Sequence, residues 1–193
     1  NAQYLEATPN TVNIRILLPQ SIVMTVLGTK TWGDAAFALN AQSDAGRDLT
    51  YATATPSVCL VGEATGVVSL IGAGQCRIDV SQIGAPNYVD AFSQIEFPVL
   101  RPKATVVRTV KSSVVSRKLS LSWIAPANSS KAGVIQYVIK YRVSTKGAWK
   151  TIITTSRLWK SSAFSKGVRV YYSIAAYGAR GAGALVTGNR LIS

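Results

Sequence analysis

Apolar and polar residues alternate one by one over several short stretches of this 193-residue chain. In residues 76–81, Cys, Ile and Val alternate with Arg, Asp and Ser, and the same period recurs in residues 118–123, 137–142 and 170–176. A period of two is typical of a strand with one buried face. Turn residues such as Gly, Pro and Asp separate these runs. We therefore predict an all-β chain.

A change of composition near residue 100 predicts two domains. Residues 1–100 contain four Lys or Arg and eight Asp or Glu, whereas residues 101–193 contain 17 Lys or Arg and no acid. The change falls at Val99–Lys103, where Pro102 interrupts strand pairing. A chain of this length suits two domains of about 80–100 residues. The boundaries predicted are 21–100 and 101–193.

The first 20 residues resemble a later part of the chain. Ala2–Ala7 parallels Pro86–Ala91, and each is followed by an alternating apolar stretch, at residues 12–17 and 95–99. We predict that residues 1–20 are the closing strand of a preceding repeat, or an extra N-terminal strand, paired in the same chain or with a neighbouring copy. Because the chain starts without a leader sequence, we expect a fragment or a processed product.

The two cysteines, Cys59 and Cys76, are predicted to form a disulfide, with two buried free thiols as the alternative. The chain has no histidine. Too few ligands therefore remain for a zinc site, and a serine–histidine triad is excluded. A calcium site at Asp44 and Asp48 lacks the rest of a ligand loop.

Most acids lie in or beside predicted turns, which favours solvated side chains over the paired carboxylates of a glycosidase. The glycine-rich stretch Gly178–Gly183 precedes no predicted helix, and this indicates a hairpin loop rather than a phosphate cradle. We predict no catalytic residue, no cofactor and no metal. The turn acids are Asp34, Asp44, Asp48, Glu63 and Asp90.

Residues 21–100 resemble the bacterial immunoglobulin-like repeats of large surface proteins. The resemblance covers the motifs Lys30–Leu39, Leu49–Tyr51, Thr55–Cys59, Gly72–Cys76 and Asn87–Tyr88, in that order. It implies an immunoglobulin-like β-sandwich, and it also implies the Cys59–Cys76 disulfide, because the two cysteines of that family have the same placement.

Residues 101–193 resemble a fibronectin type III domain through Leu119–Trp123, Pro126, Ile135–Arg142 and Trp149. The resemblance implies a second immunoglobulin-like sandwich. In that family a corner tyrosine normally stands three residues after the turn glycine. Here the residue three positions after Gly167 is Val170, and Tyr171 stands one position later.

Basic and aromatic residues of the second half are the candidate binding residues. A half without acids cannot form carboxylate salt bridges among its own side chains, so its cations repel each other or bind an external anion. Trp149, Trp159 and Tyr171 each have a basic neighbour and are candidates for stacking on sugars or bases. The predicted basic patch comprises Lys103, Arg108, Lys111, Arg117, Lys118, Lys140, Arg142, Lys150, Arg157, Lys160, Arg169 and Arg180.

We interpret the chain as a non-enzymatic structural and adhesive module, secreted or at the cell surface. Its expected partners are an anionic envelope polymer or glycan, or neighbouring domains or copies, because a negative half next to a basic half favours head-to-tail assembly. Alternatives are an accessory module of a secreted polysaccharide-degrading enzyme, nucleic-acid binding without a readout motif, or charge that serves only solubility. No apolar run approaches the roughly 20 residues of a membrane span.

Overall fold

The computed structural model describes residues 13–84 and 86–193, and almost all of its regular structure is β-strand. These residues contain a single helix, α1, which is one turn long (Ser129–Ala132). It is too short to cross a membrane. The strands of the first half are β1 (Ile22–Met24), β2 (Lys30–Thr31), β3 (Phe37–Ala38), β4 (Ala41–Ser43), β5 (Thr50–Thr53), β6 (Cys59–Val61), β7 (Val67–Leu70), β8 (Gly74–Gln82) and β9 (Ala91–Leu100).

The second half continues with eight strands. They are β10 (Arg108–Val115), β11 (Lys118–Ile124), β12 (Gln136–Val143), β13 (Lys150–Thr154), β14 (Leu158–Ala163), β15 (Arg169–Gly178), β16 (Gly181–Ala182) and β17 (Val186–Leu191).

The first half is a sandwich of two main sheets. One sheet has the strand order β2-β9-β8-β5 and the other has the order β3-β7-β6, while β1 and β4 form a separate pair. Cys76, Ile78 and Val80 of β8 are buried, as their alternation predicts, and Arg77 and Asp79 are exposed. The inner faces of the sheets meet around Phe97, which is fully buried.

The second half repeats this architecture with its own sheets. A three-stranded sheet, β10-β11-β14, packs on a sheet of order β13-β12-β15, to which β16 and β17 add along β15. Leu121 and Trp123 of one sheet meet Ile139 and Ile174 of the other in a common core. The fold is thus all-β and immunoglobulin-like in both halves, as predicted.

Two hydrophobic cores lie on either side of the predicted boundary. The buried residues of the first core run from Leu39 to Val99, and those of the second run from Ala104 to Ile192. No residue belongs to both clusters. The domain limits at 21–100 and 101–193 stay a prediction.

Arg101 joins the two halves. Its Nη1 donates to the carbonyls of Ser130 and Lys131 of α1 at 3.1 and 3.2 Å, and the Ser130 carbonyl also accepts from the Gly133 N–H. Its guanidinium carbon also lies 5.7 Å from the ring centroid of Trp32, and the Lys131 ammonium lies 5.9 Å from the same centroid. A first-half tryptophan therefore contacts two second-half cations.

Part of the predicted N-terminal strand pairs within the chain. Leu18 forms an isolated parallel bridge with Tyr88, in which its N–H donates to the Asn87 carbonyl at 2.7 Å and its carbonyl accepts from the Val89 N–H. Ile14 and Ile16, in contrast, are 83% and 81% exposed. The repeat Ala2–Ala7 lies outside the described residues.

Candidate ligand-binding surface

Six of the twelve cations of the predicted basic patch lie on two opposite faces of the second sandwich, three on each face. Because Leu119, Leu121 and Trp123 are buried, the residues between them on β11 point outward. Directly paired residues of antiparallel strands share a face, and Ser120 pairs with Ser113 on one side and Lys160 on the other. We call this surface the serine–lysine face; it comprises Lys111, Ser113, Lys118, Ser120, Ser122 and Lys160.

The other sheet has an outer face of different composition. Arg142 of β12 pairs with Tyr171 of β15, which pairs in turn with Asn189 of β17. One row further along the sheet, Lys140 pairs with Ser173. We call this surface the aromatic–arginine face; it comprises Lys140, Arg142, Trp149, Arg169, Tyr171, Ser173, Thr187 and Asn189.

The Arg142 guanidinium lies against two aromatic rings. Its central carbon is 4.6 Å from the ring centroid of Trp149 and 5.7 Å from that of Tyr171, within cation–π range. The Nε atom is buried and has no hydrogen-bond partner among the described residues. Stacking on the rings therefore fixes a cation that no carboxylate of residues 101–193 neutralises.

Trp159 differs from the surface role predicted for it. It pairs with Leu121 on the inner side of β14, and its ring centroid is 5.1 Å from that of Tyr141. The side chain is half-buried and packs against the core. The predicted group of three aromatic residues is thus reduced to Trp149 and Tyr171 at the surface, where Trp149 is 46% exposed.

The remaining predicted cations are scattered over turns and strand ends. Arg117 lies in the β10–β11 turn, Arg180 lies at the tip of the β15–β16 hairpin, and Lys150 begins β13. The Arg108 Nε donates to the Ala125 carbonyl at 3.0 Å. Lys103 and Arg157 are exposed in connecting segments. These residues enlarge the positive field but form no single patch.

Neutral groups serve as hydrogen-bond acceptors for the second half. Arg169 donates to the Asn189 side-chain oxygen at 2.6 Å, and Arg190 donates to the Ser112 hydroxyl and carbonyl at 2.7 and 3.0 Å. Within residues 13–84 and 86–193 the only salt bridge is Arg77–Glu96, in the first half. The charges of the second half are therefore left without internal counter-ions.

Acids of the first half are dispersed and accept local hydrogen bonds. Asp44 accepts from the Ser21 N–H and hydroxyl, and these bonds hold the pKa of its carboxyl below the ordinary value of 3.8. Asp34 accepts from the Thr31 N–H, and Asp90 accepts from the Gly84 N–H. No group of three metal-ligating side chains occurs in the described part of the chain. Asp34, Asp44 and Asp90 thus stabilise separate turns, while Asp79 and Glu96 lie on β8 and β9.

A groove of about 640 Å³ in the first half has no counterpart in the sequence interpretation. It is open to solvent and lined by Arg47, Asp48, Tyr51 and Glu63 among others. Burial raises the pKa of the Tyr51 phenol. The groove joins residues from separate turns, so periodicity alone gives no sign of it.

The disulfide links Cys59 of β6 to Cys76 of β8, and both cysteines are fully buried. It therefore crosses the first core from one sheet to the other. The glycine-rich stretch Gly178–Gly183 forms the tight β15–β16 turn, where Gly178 pairs with Gly181. No helix follows it, in agreement with the hairpin predicted from the sequence.

No protein-family model matches the sequence, and no curated protein is significantly similar to it. Among solved structures, the chain resembles a segment of titin domains, at 14% identity over 91% of this chain and 66% of that chain, with a TM-score of 0.46. It also resembles the twitchin kinase region of C. elegans, at 20% identity over 47% of this chain, with a TM-score of 0.42.

A third likeness is to domains d3–d4 of the rat CD45 extracellular region, at 10% identity over 51% of this chain, with a TM-score of 0.44. This chain covers 17% of the twitchin chain and 55% of the CD45 chain.

Proposed function

We propose that the chain is a non-enzymatic structural and adhesive module of a bacterial cell-surface or extracellular filament protein, and that its basic second half contacts an anionic polymer. The observation that carries this proposal is the charge of residues 101–193, where 17 cations have no acidic side chain among them. An external polyanion supplies the counter-charges that the fold lacks.

The two sandwiches suit a role in which shape and charge carry the function. Each sandwich has its own core, and Arg101 with Trp32 connects them at a short joint. The buried disulfide favours an oxidising compartment, which supports an extracellular location. Rigid units of this kind hold a binding surface at a distance from their attachment point.

A polymer is favoured over an acidic neighbouring copy as the partner. Head-to-tail assembly needs an acidic surface, but Asp34, Asp44 and Asp90 are dispersed over separate turns. The cations, in contrast, extend over both faces of the second sandwich. A flexible polyanion is able to follow such a distribution.

The test is to titrate the full chain with heparin, inorganic polyphosphate, duplex DNA and neutral dextran at 50 and 300 mM NaCl. We expect heparin and polyphosphate to bind, with affinities that fall steeply as salt rises because binding releases counter-ions. Absence of binding to both would contradict the proposal. Binding to DNA alone would replace it with nucleic-acid binding.

Two variants with equal charge change locate the contact. Lys118→Gln with Lys140→Gln removes one cation from each face of the second sandwich, whereas Arg15→Gln with Arg47→Gln removes two from the first half. The first variant is expected to lower the slope of log affinity against log salt by roughly one or more. The second variant serves as the control and should leave that slope unchanged.

A further inference from the structure

We infer that the aromatic–arginine face binds an acidic sugar unit, with a sulfate or carboxylate of the sugar on Arg142 and the sugar ring on Trp149. This inference rests on the proposed function and narrows it to one face and one class of ligand. The two faces differ in what they offer besides positive charge. The serine–lysine face has lysines and hydroxyls but no aromatic side chain.

Arg142 is suited to hold an oxyanion. A guanidinium that is already fixed by stacking loses little conformational entropy when it binds, and its planar fork matches the oxygens of a sulfate or carboxylate. Trp149 and Tyr171 hold the group in place at 4.6 and 5.7 Å. Residues 101–193 offer no carboxylate that competes for it.

The groups around Arg142 are those that recognise sugars. Trp149 is 46% exposed, which leaves ring surface for the apolar side of a pyranose. Thr187 and Asn189 are exposed on the same outer face and supply hydroxyl and amide groups for sugar hydroxyls, whereas Ser173 beside them is buried. Lys140 adds a second cation on the same face, two residues before Arg142 on β12. Two consecutive acidic units of one glycan would therefore each contact a different cation.

There is room for a ring beside this cluster. An open groove of about 380 Å³ lies between the β12–β13 hairpin and the end of β14, and Arg142, Lys150 and Phe164 are among the residues that line it. Lys150 contributes a further exposed cation at this end of the sandwich. The groove is lined by Arg142 but not by Trp149 or Tyr171, so it extends the proposed site from Arg142 towards Lys150.

The test compares two polyanions that differ in having a ring. A heparin hexasaccharide and an inorganic polyphosphate of similar charge are titrated into the full chain at 50 mM NaCl. Arg142→Lys keeps the charge but removes the planar fork, and Trp149→Ala removes the stacking surface. Each is expected to weaken hexasaccharide binding about fivefold or more, while polyphosphate binding stays within about twofold.

Controls separate this inference from general charge attraction. Trp149→Phe keeps a ring and should retain most of the hexasaccharide affinity. Lys118→Gln with Lys160→Gln, on the serine–lysine face, should weaken both probes to the same extent. Thermal unfolding of each variant verifies that the fold is intact.

The inference is overturned if Arg142→Lys and Trp149→Ala leave hexasaccharide affinity unchanged, or if they weaken both probes equally. In either result the proposed function stands, because the wild-type chain still binds polyanions. If the wild-type chain binds neither probe, the proposed function itself fails.

Discussion

The two sandwiches share one architecture, but different interactions hold each of them together. The first has a disulfide across its core, a salt bridge and acids that accept hydrogen bonds at turns. The second has no cysteine and no acid, and its cations bond to carbonyls, hydroxyls and aromatic rings. Alternation of apolar and polar residues therefore determines the layered fold, whereas the charge of the outward residues is free to vary.

Backbone strain follows the same division. In the described part of the first half, every residue with a positive φ is a glycine. Four described residues other than glycine have a positive φ, and all of them lie in the second half: Thr109, Ser116, Arg117 and Ser144. A side chain in this region costs free energy because Cβ approaches the backbone. The second sandwich thus tolerates strain that the first avoids.

The largest expected effect comes from removing the disulfide. Cys59→Ala with Cys76→Ala opens a loop of sequence separation 17, which should destabilise the first sandwich by about 3 kcal/mol in the chain-entropy model. Hydrogen exchange of the Ile78 amide measures this loss, and the Ile139 amide in the second sandwich is the control. Equal losses at both positions would show that the two sandwiches unfold as one unit.

Glycine in the β10–β11 turn should stabilise the second sandwich. Ser116 and Arg117 have φ values of 50° and 60°, as in the two-residue hairpin turns that favour Asn-Gly. Arg117→Gly is expected to raise the free energy of unfolding by about 1 kcal/mol, because it relieves the strain. Denaturant unfolding measures the gain, and Arg117→Lys should show none.

The converse substitution tests the first sandwich. Gly66 has a φ of +63°, and a Cβ placed there would lie 2.9 Å from the Tyr51 ring. Gly66→Ala should therefore destabilise the first sandwich by more than about 1 kcal/mol. A neutral result would show that the first half tolerates strain as the second does.

At the joint, a smaller effect is expected. Arg101→Ala removes two hydrogen bonds to α1 carbonyls and the stacking on Trp32. Because the contacts are exposed, we expect a loss of about 0.5–1 kcal/mol, measured as a lower free energy of exchange for amides next to α1. An unchanged value in Arg101→Ala would indicate that the joint does not couple the halves.

The smallest effect is expected for Asp44, and only in the first half. Hydrogen bonds from Ser21 lower the pKa of the Asp44 carboxyl in the folded state. The ionised carboxylate therefore stabilises the fold at pH values above its unfolded pKa. This stabilisation is lost as the pH falls through the lower pKa of the folded state. Asp44→Asn should be less stable than wild type at pH 7 and equally stable at pH 2, by urea unfolding. The second sandwich has no acidic side chain to titrate over this range.

The alternation of apolar and polar residues predicted the fold well, because which face of a strand is buried depends on residues that are neighbours in the sequence. Residues 76–80 and 119–123 alternate in the structure as they do in the sequence. The binding surface was harder to predict, because which strands become neighbours is not local. Only the register between β12 and β15 places Tyr171 against Arg142, and only the pairing of β14 with β11 turns Trp159 inward.

The parallel pairing of β2 with β9, which joins Lys30 to Val99 and Thr31 to Leu100, has a mechanical consequence. When tension is applied along the chain between these strands, their hydrogen bonds are loaded together in shear instead of opening one after another. The disulfide then limits the extension that follows rupture. It withholds the segment between Cys59 and Cys76, a contour of roughly 55 Å, from a stretched first sandwich.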